Sequence, residues 1–150
     1  MLEMDMSVDV RMPAGPKVML LEDDNGVRRS LQMLLQGRGF AVKAYASASA
    51  LLSDPQLAGI DCLVADYRLG ASDGVAVLEA LRSGGWNGPA ILMTAFGTEE
   101  LRARAISAGY SEIFEKPLKD HVLVAALQRL TSSDGASIGL LPAPGTLRSK

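Results

Sequence analysis

The residues of this chain with the most chemical capacity stand directly behind apolar runs. Val18-Met19-Leu20-Leu21 is followed by Glu22-Asp23-Asp24, Leu63-Val64-Ala65 by Asp66, and Ile91-Leu92-Met93 by Thr94 and the small Ala95; the run ending at Phe114 is followed, after Glu115, by Lys116-Pro117. Apolar runs of this length read as buried strands, and in an open parallel sheet reactive groups gather beyond the carboxyl ends of the strands. All four strand ends then converge on one edge. Three carboxylates within about 5 Å repel by roughly 3 kcal/mol per pair at an effective dielectric of about 20, so Glu22, Asp23 and Asp66 call for a cation. The candidate ligands are hard oxygens with no His or Cys among them, which selects Mg²⁺, with Mn²⁺ as an alternative, over zinc. With such an ion bound, Asp66 stays ionised and can attack phosphorus, while the metal, the Lys116 ammonium and the Thr94 hydroxyl stabilise charge on the phosphoryl oxygens. The set is complete for phosphoryl transfer.

The elements that must position these residues follow from periodicity. Strand-length runs occur at Lys17 to Leu21, Phe40 to Ala44, Asp61 to Ala65, Pro89 to Met93 and Tyr110 to Phe114, and the first, third and fourth are the most continuously apolar, as central parallel strands require. Val27, Leu31, Leu34 and Leu35 fall at i, i+4, i+7 and i+8; Leu123, Ala126, Leu127 and Leu130 fall at i, i+3, i+4 and i+7. Both patterns predict helices packed by one face. Gly37 and Gly39 act as stop signals for the first helix, and Ser47, Asp73 and Thr98 as starts for helices at 48 to 53, 74 to 83 and 98 to 108. The sum is an α/β fold: a doubly wound, five-stranded parallel sheet with five helices.

The bulk properties agree with one domain. The chain has 150 residues, 48% of them hydrophobic, enough for one good core and too few for two. A net charge of -2, from 15 basic and 17 acidic residues, gives no global case for binding nucleic acid or an anionic membrane. No run of about 18 apolar residues occurs, and the first residues alternate with acids, so neither a membrane span nor a secretory leader fits. Cys62, the single cysteine, lies in an apolar run and reads as a buried free thiol, which suits the cytoplasm. Residues 1–16 read as an N-terminal extension, 17–130 as the domain, and 131–150 as a Ser/Gly/Pro-rich tail whose Gly-Leu-Leu-Pro patch at 139–142 could dock in a groove.

Through VMLLEDD at 18–24, DCLVADYRLGASDG at 61–74, ILMTA at 91–95 and EKP at 115–117, the chain resembles the receiver domain of two-component response regulators over roughly residues 17–130. The resemblance implies a flavodoxin-like strand order 2-1-3-4-5. It also implies Asp66 as phosphoacceptor, Glu22 and Asp23 as the acidic pair with Asp23 a direct Mg²⁺ ligand, the carbonyl of Arg68 as a further ligand, Thr94 and Lys116 on the phosphoryl group, and a cis Lys116-Pro117 bond. The phosphodonor is then a histidine kinase or phosphotransfer protein, and a downstream protein, or a second copy of the chain, reads the surface of the fourth helix, fifth strand and fifth helix. The chain departs from the family pattern twice. Ile113 occupies the position of the switching aromatic, with Phe114 one residue later and on the opposite strand face; Gly70 replaces a common proline, which should loosen that loop. Arg68 and Phe96, two residues past site residues, lie where the family tunes phosphate loss, and their bulk is expected to slow the approach of water.

Other readings remain beside this one. Asp24 serves well as a helix cap alone, Thr94 as the start of a turn, Lys116 as a solvated cation, His121 as an exposed helix residue, and Arg102 and Arg104 as the solvated side of a helix. A haloacid-dehalogenase-type phosphatase requires a second aspartate two residues after the nucleophile, where this chain has Arg68. A dinucleotide site lacks its Gly-x-Gly-x-x-Gly after the first strand. A receiver-like scaffold that is never phosphorylated, or the receiver part of a larger regulator or hybrid kinase, also fits the sequence. No helix-turn-helix output module can be built from the last 20 residues.

Overall fold

A computed structural model of the chain describes residues 15–132. One sheet holds β1 (Lys17–Leu21), β2 (Ala41–Tyr45), β3 (Cys62–Asp66), β4 (Ala90–Thr94) and β5 (Glu112–Glu115). Their order is β2-β1-β3-β4-β5, every pair parallel. The helices are α1 (Asn25–Gly37), α2 (Ala48–Leu52), α3 (Gly74–Ser83), α4 (Glu99–Ala108) and α5 (Asp120–Thr131). The expected doubly wound architecture and strand order are what the chain adopts. The expected extension over 1–16 and tail over 131–150 lie, apart from residues 15, 16, 131 and 132, outside the described residues, and so does the patch at 139–142.

Side-chain alternation along the strands builds two separate core layers. Met19, Leu21, Leu63, Ala65, Ala90 and Leu92 point to one face, where α2, α3 and α4 contribute Leu51, Val75, Leu78 and Leu101. Val18, Leu20, Cys62, Val64, Ile91 and Met93 point to the other, against Leu35 of α1 and Leu123 and Leu127 of α5. A period of two on strands covered on both sides makes every residue of β3 and β4 buried. Cys62 is a buried free thiol, and burial pushes its pKa up to about 12. Among the described residues no helix is long and apolar enough to cross a membrane.

Local signals set the helix starts. Asp24, Ser47, Asp73 and Thr98 each accept a hydrogen bond from the backbone N–H three residues on, which satisfies a donor that the first helical turn leaves without a partner. β1 has the expected bounds, and the boundaries of the other four strands differ from the sequence reading by one or two residues. Phe40 and Tyr110 were expected to open strands; their N–H groups instead bond back to Leu35 and Ala105, completing the exits of α1 and α4, while their rings still enter the core. At the other ends, Asp66 and Thr94 are the last residues of β3 and β4 and not the first residues beyond them. A further element was not expected: Arg68–Leu69 pairs antiparallel with Ser72–Asp73. Gly70 turns this ladder with φ of +67°, a conformation closed to proline, so the glycine here builds a tight turn where a loosened loop was anticipated.

Candidate functional site

Four of the five strands, β1, β3, β4 and β5, end in or beside a candidate site residue at the carboxyl edge of the sheet. Glu22 follows β1 directly and is only 1% exposed. Its backbone N–H bonds to the carbonyl of Tyr45 at 3.2 Å, its carbonyl accepts from Arg28 Nη1 at 2.9 Å, and its Oε2 accepts from the backbone N–H of Asp24 at 3.1 Å. Oε1 is buried without a hydrogen-bond partner. Asp66, buried at the end of β3, lies with its Oδ1 3.1 Å from Lys116 Nζ, and the same ammonium is 3.6 Å from Glu22 Oε1. Lys116 is set in place by its own N–H, which bonds to the carbonyl of Thr94 at 2.8 Å, and its bond to Pro117 is cis. Lys116 therefore is not a merely solvated cation.

The electrostatics follow from this packing. Burial pushes the Glu22 carboxyl above its ordinary value and the nearby Asp66 carboxylate adds to the rise, while the Asp24 amide and the Lys116 ammonium oppose them. Burial alone would lower Lys116, but the hydrogen bond and charge of Asp66 and the charge of Glu22 outweigh it and hold the ammonium above its ordinary value. Carboxylate oxygens of Glu22, Asp23 and Asp66 lie within 4.8 Å of one another, with Asp23 on the solvent side. One ammonium against three carboxylates leaves excess negative charge. A small divalent cation fits this donor set: all three donors are hard oxygens, and the orphaned Oε1 is a buried acceptor that such an ion would satisfy. Arg68, exposed and two residues past Asp66, opens the short ladder described above.

Thr94, 2% exposed at the end of β4, has its hydroxyl engaged with the backbone of Phe96, accepting from the N–H at 3.2 Å and donating to the carbonyl at 3.3 Å. The hydroxyl thus serves the turn after β4, as the turn reading of Thr94 expects. His121 is exposed, as expected. Arg102 and Arg104 lie on the solvated side of α4, as expected, and each also makes an ion pair there. Arg102 reaches Glu115 at 3.6 Å, and Arg104 reaches Asp73 at 3.8 Å and the Tyr67 hydroxyl at 3.5 Å, so α4 is tied to the chain on both sides of the site. Both arginines are spaced to point outward along the helix, and nothing in local spacing signals acidic partners that arrive from other elements.

Gly74 was overlooked as a supporting residue. A Cβ there would come within 2.6 Å of the Asp66 carbonyl and 2.8 Å of Leu92 Cδ1. The start of α3 thus presses against the end of β3, and Tyr110 locks that contact by donating its hydroxyl to the Gly74 carbonyl at 2.6 Å. The Asp-Gly pair at 73 and 74 was the available signal, a cap followed by a residue without a side chain. Ile113 and Phe114 fall on opposite faces as strand alternation requires: Ile113 packs on the α2–α4 side and Phe114 on the α1–α5 side.

A family model described as the response regulator receiver domain matches residues 18–128. The chain is 33% identical over 117 residues to the transcriptional regulatory protein FixJ of Azorhizobium caulinodans, covering 78% of this chain and 56% of that protein. To FixJ of Rhizobium meliloti it is 35% identical over 112 residues, covering 75% and 55%. Among solved structures, that of FixJ-N superposes with a TM-score of 0.72 at 33% identity over 81% of this chain and 97% of that one. A CheY-like receiver from Methanospirillum hungatei gives 0.76 at 18% identity over 83% and 100%, which speaks to fold alone. The chain spans about half the length of the curated relatives it matches.

Proposed function

Because this chain belongs to the response regulator receiver domain family, we propose that it is a phosphorelay switch in which Asp66 accepts a phosphoryl group from a phosphohistidine on a kinase or phosphotransfer protein. One observation carries the reading: Lys116 Nζ pairs with Asp66 and lies 3.6 Å from Glu22 Oε1, a buried oxygen that has no hydrogen-bond partner. That arrangement is costly for stability alone and useful at a cation and phosphoryl site. Glu22, Asp23 and Asp66, with the Arg68 carbonyl, would hold Mg²⁺, or Mn²⁺ in its place, and the bound ion supplies charge neutralisation for the phosphoryl oxygens.

The chain's own groups account for the rest. Asp66, whose Oδ1 lies 3.1 Å from Lys116 Nζ, directs a carboxylate oxygen at phosphorus. The Asp66 O–P bond forms as the P–N bond to the donor imidazole breaks, and the imidazole nitrogen keeps the electron pair and takes a proton from solvent. Lys116 and the Thr94 hydroxyl donate hydrogen bonds to the transferred oxygens. Arg68 and Phe96, both exposed at the mouth, hinder water in the return step. Slower phosphate loss from an Arg68→Ala, Phe96→Ala variant than from the wild type would contradict that role. The downstream protein reads the surface of α4, β5 and α5, where Ile106 is exposed.

The test is intact-mass measurement after incubation with Mg²⁺ and acetyl phosphate, beside an Asp66→Ala control. The expected result is one phosphoryl group gained, dependent on both Mg²⁺ and Asp66. No gain, where a known receiver is labelled, would instead favour an unphosphorylated binding scaffold.

A further inference from the structure

The loop between β3 and α3 carries Arg68, whose carbonyl would complete the cation site, and it is closed at Gly74. Gly74 donates its backbone N–H to the Tyr67 carbonyl at 2.8 Å, and between these ends Arg68–Leu69 folds back on Ser72–Asp73. Tyr67 is tied to β4 by its own N–H, which bonds to the Met93 carbonyl at 2.8 Å. Gly74 has no side chain with which to fix its place against the Asp66 carbonyl, so its position depends on what holds it from outside. The Tyr110 hydroxyl does so, donating to the Gly74 carbonyl at 2.6 Å. The donor is itself well anchored. Tyr110 is buried in the same core layer as Leu78, Leu101 and Ala105, and its N–H bonds to the Ala105 carbonyl at 3.0 Å. Burial pushes its hydroxyl well above the ordinary value, so it keeps the proton it donates.

The opposite end of α3 is held by the residue before Tyr110. The Gly109 carbonyl accepts from Arg82 Nη2 at 3.1 Å, so Gly109 and Tyr110, at the passage from α4 to β5, grip α3 at both ends. Only one grip reaches the site. Arg82 bonds carbonyls of loops at the far edge of the sheet, whereas Tyr110 acts on the residue that closes the loop beside Asp66. We infer that Tyr110 is a positioning residue of the phosphoryl site: by holding Gly74, its hydroxyl sets the loop from Tyr67 to Asp73, and with it the Arg68 carbonyl, where the cation is bound. The inference rests on the proposed cation-dependent phosphorylation of Asp66 and adds a residue that touches neither the ion nor the phosphoryl group.

Tyr110→Phe removes the hydroxyl and keeps the ring. In EDTA, amide hydrogen exchange followed by NMR should quicken at Gly74 by roughly 10-fold, the scale of one lost hydrogen bond. Mg²⁺ affinity in calorimetric titration should fall by about 10-fold, the low end for residues that act behind a metal's ligands. Arg82→Ala, which frees the other end of α3, should leave both readouts at their wild-type values in conditions where it is folded. The wild type must show the reciprocal effect, since coupling between two sites acts in both directions: saturating Mg²⁺ should slow exchange of the Tyr110 hydroxyl proton. Wild-type Mg²⁺ affinity in folded Tyr110→Phe, an equal loss in Arg82→Ala, or a Tyr110 hydroxyl proton indifferent to Mg²⁺ would each overturn the inference, and a wild type still labelled by acetyl phosphate would leave the receiver reading standing. A wild type that binds no Mg²⁺ and gains no mass would overturn both.

Discussion

Two half-buried cations, at opposite ends of the sheet, show how differently the same fold can use a charge. Arg82, at the end of α3, donates to the carbonyls of Trp86 at 3.2 Å, Gly88 at 2.7 Å and Gly109 at 3.1 Å, and its guanidinium lies 5.3 Å from the centre of the Trp86 ring. Trp86 in turn donates its indole N–H to the Ile60 carbonyl. Each of these partners is neutral, and every carbonyl is one that a turn or helix end leaves open. Lys116, at the carboxyl edge, faces two carboxylates and leaves Glu22 Oε1 without a hydrogen bond. The first arrangement is closed and holds loops together. The second is open, and it keeps a buried polar atom without a hydrogen-bond partner at the edge where the candidate site lies.

The contrast can be tested by substituting each cation. The largest effect is expected for Lys116→Ala, which should slow acetyl-phosphate labelling at Asp66 by about 100-fold, as loss of one donor to a transition-state oxygen does. Its unfolding free energy in Mg²⁺ should stay within about 1 kcal/mol of the wild type. Stopped-flow or mass-based labelling and urea unfolding measure the two. For Arg82→Ala the pattern should reverse: about 2 kcal/mol lost in urea unfolding through three forfeited charge-assisted hydrogen bonds, with labelling rate unchanged in conditions where the protein is folded. If Arg82→Ala slows labelling as much as Lys116→Ala, the two ends are not independent.

A smaller loss, about 1 kcal/mol or somewhat more, is expected for Gly109→Ala. Gly109 ends α4 with φ of +113°, where a Cβ would also sit 2.9 Å from Arg82 Nε. Restoration of the loss by removing Arg82 as well would show that the close approach, and not the backbone angle, dominates.

The smallest effect is a slope. The Glu22 carboxyl is raised above its ordinary value of 4.5 chiefly by burial, so between that value and the raised one the folded protein holds more protons than the unfolded chain. Stability of the metal-free protein should therefore fall as pH rises through this window. Glu22→Gln should flatten the slope in urea unfolding with EDTA, and Mg²⁺ should flatten it in the wild type. A slope that persists in the glutamine variant would assign it to another group.

Much of this was legible in the chain because it is encoded locally. The strand runs and the inward apolar stripes of α1 and α5 follow from periodicity, and Ser47, Asp73 and Thr98 announce their helices by side chains that bond three residues on. The meeting of Glu22, Asp23, Asp66 and Lys116 followed from their common position at the carboxyl ends of strands. The strand starts were less legible. Phe40 and Tyr110 belong by hydropathy to the next strand and by hydrogen bonding to the preceding helix, and hydropathy cannot distinguish a strand residue from a buried helix exit.

By itself, then, the sequence determined the alternation of elements, their caps and which residue types reach the carboxyl edge, since these depend on neighbours a few positions apart. Only the tertiary structure decided that Glu22 keeps one oxygen without a hydrogen bond, that Arg82 closes on carbonyls from separate loops, that Arg102 and Arg104 brace α4, and that Thr94 holds Phe96. The first three are distances between residues brought together from different elements, to which local periodicity is blind. The last depends on how the chain turns after β4, and there the choice of partner for a single hydroxyl proton is settled only when the competing acceptors have been placed.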